Sequence, residues 1–220
     1  MSNIPKSVEK RIIHLRNSYD THISVLQQIL EADEGRIFGV DPIVTGVINR
    51  SLSLIDGFTT MVEKQNVLCA NALLRLQVDS IIRFYACWLV ADPHSLLLPL
   101  LEDKPLYKIK SKDGKSLSDV YLRTEASKLY PWINSVYEKT SGFIHLSMPH
   151  ILAPFAESDY SARPFIVSVG KPGLGRPWRG NEMTEAVEAF SEATNCILHL
   201  ATSWLVTKNK EAAKRKENES

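Results

Sequence analysis

The sequence predicts a mainly α protein: a multi-helix bundle with a central buried helix over about 66–91 and a small irregular or β-hairpin excursion over about 150–178. Three observations predict it. Apolar residues recur at three- and four-residue steps through most of the 220-residue chain. Capping residues and prolines stand where those runs begin, at Asp41-Pro42, Asn66, Asp92-Pro93 and Ser118. Between Pro149 and Asn181 the periodicity stops, and prolines and glycines take over.

The first run, Val8 to about Glu31, places Ile12, Leu15, Tyr19, Ile23, Leu26 and Leu30 on one face. A loop with Gly35 and Gly39 leads to a second helix from Asp41-Pro42 to about Lys64. Asn66 caps the third helix, which is apolar on most sides and is therefore expected to be central. Its polar residues form one stripe at four-residue steps: Asn71, Arg75, Asp79 and Arg83. A short helix, His94–Leu101, follows Asp92-Pro93, and Lys104–Ser118 reads as a loop or small hairpin turning at Asp113-Gly114. Ser118 or Asp119 caps a helix to about Leu129, and Pro131 restarts the chain as Trp132–Leu146. The run Pro-Phe-Ile-Val-Ser-Val, 164–169, carries the β-hairpin expectation. Asn181 caps a last long helix, which ends a single domain over 1–207; residues 208–220 read as a charged, flexible tail.

Composition bounds the class. Hydrophobic residues at 44% and charged residues at 23% suffice for a core without metals or disulfides. The apolar stretch Ile81–Val90 is interrupted by Arg83 and is too short to span a bilayer, and MSNIPKSVEKR has no apolar run behind its basic residues. A soluble, cytoplasmic protein with no membrane association is expected. Cys69 and Cys87 lie 18 residues apart on one expected helix. That spacing is roughly 27 Å of rise, too far for a disulfide. With Cys196 they read as small buried thiols in a reducing compartment, and no cofactor or metal site is expected.

Candidate chemistry sits in three places. On the third helix, Asp79 and Arg83 form a favourable i,i+4 pair with Arg75 alongside; the stripe is either a buried ion-pair ladder or a polar pocket lined by Arg75. In the run through Ser147, Tyr137, Ser141 and His145 share a helix face, and His145 could serve as a general acid or base. The loop GKPGLGRPWRG, 170–180, fits neither a Walker loop nor a dinucleotide fingerprint. Its Lys171, Arg176 and Arg179 around Trp178 suit single-stranded nucleic acid, unless Trp178 packs back on the bundle. Charge is also uneven: Lys104–Ser116 holds five lysines and one acid, and Ser161–Asn181 holds four cations and no acid. Such segments are either solvated loops or a surface for RNA or another anionic partner.

A helix-rich chain with Arg75-x-x-x-Asp79 on its central helix and a later Ser-Gly-Phe-Ile-His-Leu-Ser, Ser141–Ser147, resembles the HEPN-type bundles, including relatives encoded among bacterial defence genes. The resemblance covers about Val67–Ser147. It implies a metal-independent ribonuclease, or a non-catalytic relative, in antiviral defence or stress, working as a homodimer or in a larger complex. In the family an Arg-x(4–6)-His motif surrounds the scissile phosphate of RNA. Here the residues carried over as catalytic are His145, Arg75 and Asp79, although Thr140 or Lys139 stands where the motif's arginine would precede His145. The literal match, Arg16-Asn17-(x4)-His22, lies in the first helix, where Arg16 is about 120° around from the apolar seam that holds His22. The alternative class is a non-enzymatic binding or scaffold subunit using the basic segments; a third is a small-molecule sensor with the polar stripe as its pocket.

Overall fold

The computed structural model describes residues 4–155, 167, 169–170 and 178–219. The first apolar seam becomes α1 (Lys6–Glu31), which buries Val8, Ile12, Leu15, His22 and Ile29. Asp33, Glu34 and Gly35 follow with positive φ and reverse the chain into α2 (Val40–Glu63). Asp41 lies inside the first turn rather than ahead of it, and its carboxylate accepts from the Phe38 N–H at 2.8 Å. Asn66 caps α3 (Val67–Phe84) as its type predicts, accepting from the Cys69 N–H at 3.1 Å.

The expected helix to residue 91 is shorter. α3 ends at Phe84, and after Tyr85 a single turn, α4 (Ala86–Leu89), leads to extended Val90 and Asp92. Pro93 accounts for the extended Asp92, since a proline disfavours a helical residue directly before it, but not for the earlier break at Tyr85. A 3₁₀ turn (Pro93–Leu96), capped by Asp92, runs into α5 (Leu97–Leu101). The lysine-rich stretch forms a 3₁₀ turn (Leu106–Lys108) and a minimal hairpin closed by one antiparallel bridge, Lys110 to Ser116, with Gly114 at positive φ in its turn. α6 (Asp119–Leu129) and α7 (Trp132–Ile144) follow.

The β-hairpin expected over 150–178 is not supported. That segment enters as helix, α8 (Met148–Leu152) and a 3₁₀ turn (Ala153–Phe155), and no β pairing forms among its described residues. Pro149 sits near the start of α8, where a proline needs no helical N–H. Of the Pro-Phe-Ile-Val-Ser-Val run only Val167 and Val169 lie within the described residues. The last helix, α9 (Glu182–Glu219), is 38 residues long, and the boundary expected between 207 and 208 falls inside it.

α3 packs against α2, α6, α7 and α9, while α1 lies against α2 and α9. Phe58 and Phe190 stack with ring centroids 4.0 Å apart where α2 meets α9. A buried polar chain crosses the same core. The Gln77 side-chain amide donates to Ser51 at 2.7 Å and to Thr194 at 3.2 Å, and Ser51 is 3.3 Å from His22 Nε2. Among the described residues, no helix is long and apolar enough to cross a membrane.

Candidate functional site

The polar stripe of α3 divides into two unlike parts. Toward its C-terminus Asp79 pairs with Arg83 at 2.7 Å, and Arg83 reaches Asp119 on α6 at 3.0 Å. Burial acts to lower the Arg83 pKa, but these two carboxylates outweigh it and the net shift is upward. The pair is half open to solvent, so it is not a sealed ladder. One turn earlier, Arg75 has no carboxylate partner among the described residues. Its guanidinium carbon lies 3.3 Å from the centre of the Tyr137 ring, and that of Arg123 lies 4.6 Å from the same ring. A cation over a ring gains about 0.5–2 kcal/mol. Arg75 Nε and Nη1 are nevertheless buried without a hydrogen-bond acceptor.

His145 does not join this cluster. It stands exposed just past the end of α7 in extended conformation. Eight residues beyond Tyr137, it is about 12 Å further along the axis. The expected shared face of Tyr137, Ser141 and His145 therefore breaks at its last member, because the helix stops at Ile144. Arg75 is spent on Tyr137 and Asp79 on Arg83, so the three residues carried over from the family are not gathered around one point.

Two other histidines meet serines. Ser147 Oγ donates to the Gly142 carbonyl at 2.7 Å, and His150 Nδ1 accepts from the Ser147 N–H at 3.2 Å. With its proton already committed, that hydroxyl is a turn-forming group rather than an activated nucleophile. In the core, His22 Nδ1 donates to the Ser18 carbonyl at 2.7 Å, which leaves Nε2 to accept from Ser51. This has the donor order of a nucleophilic pair, but both side chains are fully buried. Burial also depresses the His22 pKa, against the raising effect of the Ser18 carbonyl. Arg16 is at the surface in a bidentate pair with Glu63 at 2.8 and 2.9 Å, away from His22.

The basic segments differ in how much they place. Lys104, Lys108, Lys110, Lys112 and Lys115 are all exposed, and no ion pair engages them among the described residues. Their hairpin is anchored by buried Leu106 and Leu117 and by the Lys112 N–H donating to the Leu89 carbonyl at 2.8 Å. Tyr107 is exposed on the same unit. In the other segment, Trp178 packs against the core with its indole N–H buried and unpartnered. Arg179 is exposed, and its backbone N–H donates to Glu182 at 2.9 Å at the start of α9. Lys171 and Arg176 lie outside the described residues.

Burial pushes the Cys87 and Cys196 thiols up to about 12, so neither is a thiolate near neutral pH. Among the described residues no group of three histidine, cysteine or carboxylate side chains could hold a metal ion.

One constellation was missed from sequence. Lys208 and Asp41 form a fully buried ion pair at 3.0 Å. Asp41 also accepts from Trp204 Nε1 at 2.7 Å, and Lys208 Nζ donates to the Ile29 carbonyl at 2.7 Å. The signal was present: Ile197, Ala201, Trp204, Lys208 and Ala212 continue one stripe at three- and four-residue steps, and all five are buried. Compared with family models, with curated proteins and with solved structures, the chain has no match.

Proposed function

We propose that this chain is a HEPN-like helical protein of bacterial defence or stress that binds single-stranded RNA without cleaving it, within a homodimer or a larger complex. The observation that carries this reading is the five exposed lysines on the anchored hairpin and the turn before it, which no ion pair engages among the described residues, beside exposed Tyr107. Cations track a phosphate backbone, and an exposed ring offers a stacking surface to an unpaired base. Arg179 belongs to the same reading, together with Lys171 and Arg176 earlier in the same basic segment of the sequence. Trp178 does not, since its indole faces the bundle. The separation of Arg75, Asp79 and His145 favours the non-catalytic form.

The test is fluorescence anisotropy of a labelled 20-nucleotide RNA with the full chain, beside a cleavage assay in EDTA. Wild type is expected to bind and leave the RNA intact, and Lys108→Glu/Lys110→Glu/Lys112→Glu to lose binding with an unchanged melt. Retained binding in that variant would sink the proposal. Cleavage in EDTA that disappears in both His145→Ala and Arg75→Ala would replace it with the ribonuclease form.

A further inference from the structure

A groove of about 490 Å³ lies between the first turns of α2, the end of α3, α5 and the turn that leads into the lysine hairpin. Its volume is that of an ordinary ligand site, and most of its lining is apolar. Buried Phe84 and Leu106 back it, while half-buried Ile43 and Val47 and exposed Leu100 offer it open apolar surface. Three charged residues complete the lining, Arg83, Asp103 and Lys104, and all three are exposed. Arg83 is engaged by Asp79 and Asp119. Among the described residues no ion pair engages Asp103 or Lys104.

Asp103 stands just past α5 with φ 55°. Its N–H donates to the Leu100 carbonyl at 3.2 Å, and the Lys104 N–H donates to the Pro99 carbonyl at 2.8 Å. In this helix-ending turn glycine is the favoured residue, because the left-handed conformation crowds a Cβ. Here an acid takes that place. Asp33 and Glu34 share the conformation, and each pairs with a cation of α9. Asp103 has no such partner among the described residues and stands instead at the groove.

Charge and hydrogen-bonding capacity narrow the occupant. With Arg83 matched by carboxylates, the charges of Asp103 and Lys104 sum to zero, which suits an uncharged ligand. Together the two side chains offer a pair of carboxylate acceptors next to an ammonium donor. Among the four RNA bases guanine alone carries the complement on one edge, the N1–H and N2–H donors beside the O6 acceptor. Adenine and cytosine present donors at one position of that edge, and so does uracil. The groove is also continuous with the basic segment: Lys104 and Leu106 line it, and Tyr107 and Lys108 follow directly. We propose that the groove takes one unstacked guanine of single-stranded RNA, which rests on the RNA reading above and adds a base preference to it. The ring lies against Ile43, Val47 and Leu100, Asp103 accepts from N1–H and N2–H, and Lys104 donates to O6.

The test is fluorescence anisotropy of the full chain with labelled 20-nucleotide RNAs, all uridine or carrying three separated guanosines, inosines or adenosines. The guanosine RNA is expected to bind at least about fivefold tighter than the uridine RNA. Adenosine should give no such gain, and inosine, which lacks the N2 amino group, should fall between. Asp103→Gly suits the backbone of the turn and removes the carboxylate, so its melt should be no lower than that of wild type while the guanosine preference disappears. Equal affinity for the uridine and guanosine RNAs, or a preference that survives in Asp103→Gly, would overturn the guanine site and leave the RNA reading standing. Absence of all RNA binding would overturn the RNA reading instead. Calorimetric titration with free guanosine, which carries no phosphate, then decides the groove by itself. Saturable binding that Asp103→Gly removes would support the guanine site, and no binding would refute it.

Discussion

Lys208 and Asp41 show how far a charged residue's role depends on its neighbours. Both are sealed from solvent, yet each is satisfied: the ammonium by Asp41 and Ile29, the carboxylate by Lys208, Trp204 and Phe38. Removing one partner strands the other, which costs about 3–5 kcal/mol for a buried pair. Lys208→Met should lose that much in urea unfolding, and Asp41→Asn/Lys208→Met should recover part of it; a single variant within about 1 kcal/mol of wild type would show the pair to be unimportant. His22 makes a pH-dependent contribution. Burial lowers its pKa below the ordinary value near 6.5, so the folded state takes up a proton less readily than the unfolded one. Its contribution is therefore complete above about pH 6.5 and is lost as pH falls toward the folded pKa, with a slope of up to about 1.4 kcal/mol per pH unit. His22→Gln should flatten the fall in urea midpoint between pH 7.5 and 5.5. A wild-type midpoint that does not fall over that range would contradict this.

At the scale of elements, the junction before α2 depends on a missing side chain. A Cβ on Gly39 would lie 2.4 Å from the His94 carbonyl oxygen, backbone against backbone, so neither partner can move cheaply. That close approach sets the Phe38 ring 5.6 Å from that of His94. Gly39→Ala should cost at least about 1–3 kcal/mol of stability. Gly46 lies on α2 with open space around its missing Cβ, so Gly46→Ala should be neutral or stabilising by up to about 1 kcal/mol. Equal effects of the two alanines in thermal unfolding would remove the close-packing explanation. At its C-terminal end α9 is tied instead by side chains, Arg215 pairing with Asp33 and Lys216 with Glu34 in the turn after α1.

For the molecule as a whole, a net charge of +1 conceals a basic hairpin set against an otherwise net-acidic chain. If the five lysines engage phosphates, single-stranded RNA binding should weaken with salt at a log–log slope of up to about −3.5, and the triple glutamate variant should lose about two units of that slope. A slope near zero would mean that the lysines are only solvated. The hairpin is anchored through Leu106, Leu117 and Lys112 to the body of the fold, so charge reversal should alter binding and not the melt.

The sequence by itself determined the helices and most of their starts, because periodicity and capping involve residues within four positions of each other. Asn66 and Ser118 cap as their types predict, and the turn at Asp113-Gly114 forms. Local signals also located the polar stripe of α3 and the exposed lysines. They did not locate the break after Phe84, because the apolar pattern continues through Ala86–Leu89 without a proline or glycine to mark it. Nor could they assign partners between helices. Asp79 does pair with Arg83 as the i,i+4 spacing predicts, but Arg75 turned to Tyr137 on α7, a choice that depends on which helices pack together, and His145 was left just past a helix end. Lys208 is the clearest case: it carries the charge of a tail and the position of a core residue. Asp41, 167 residues away in sequence, decides between them, because desolvation is set by neighbours that only the tertiary structure supplies.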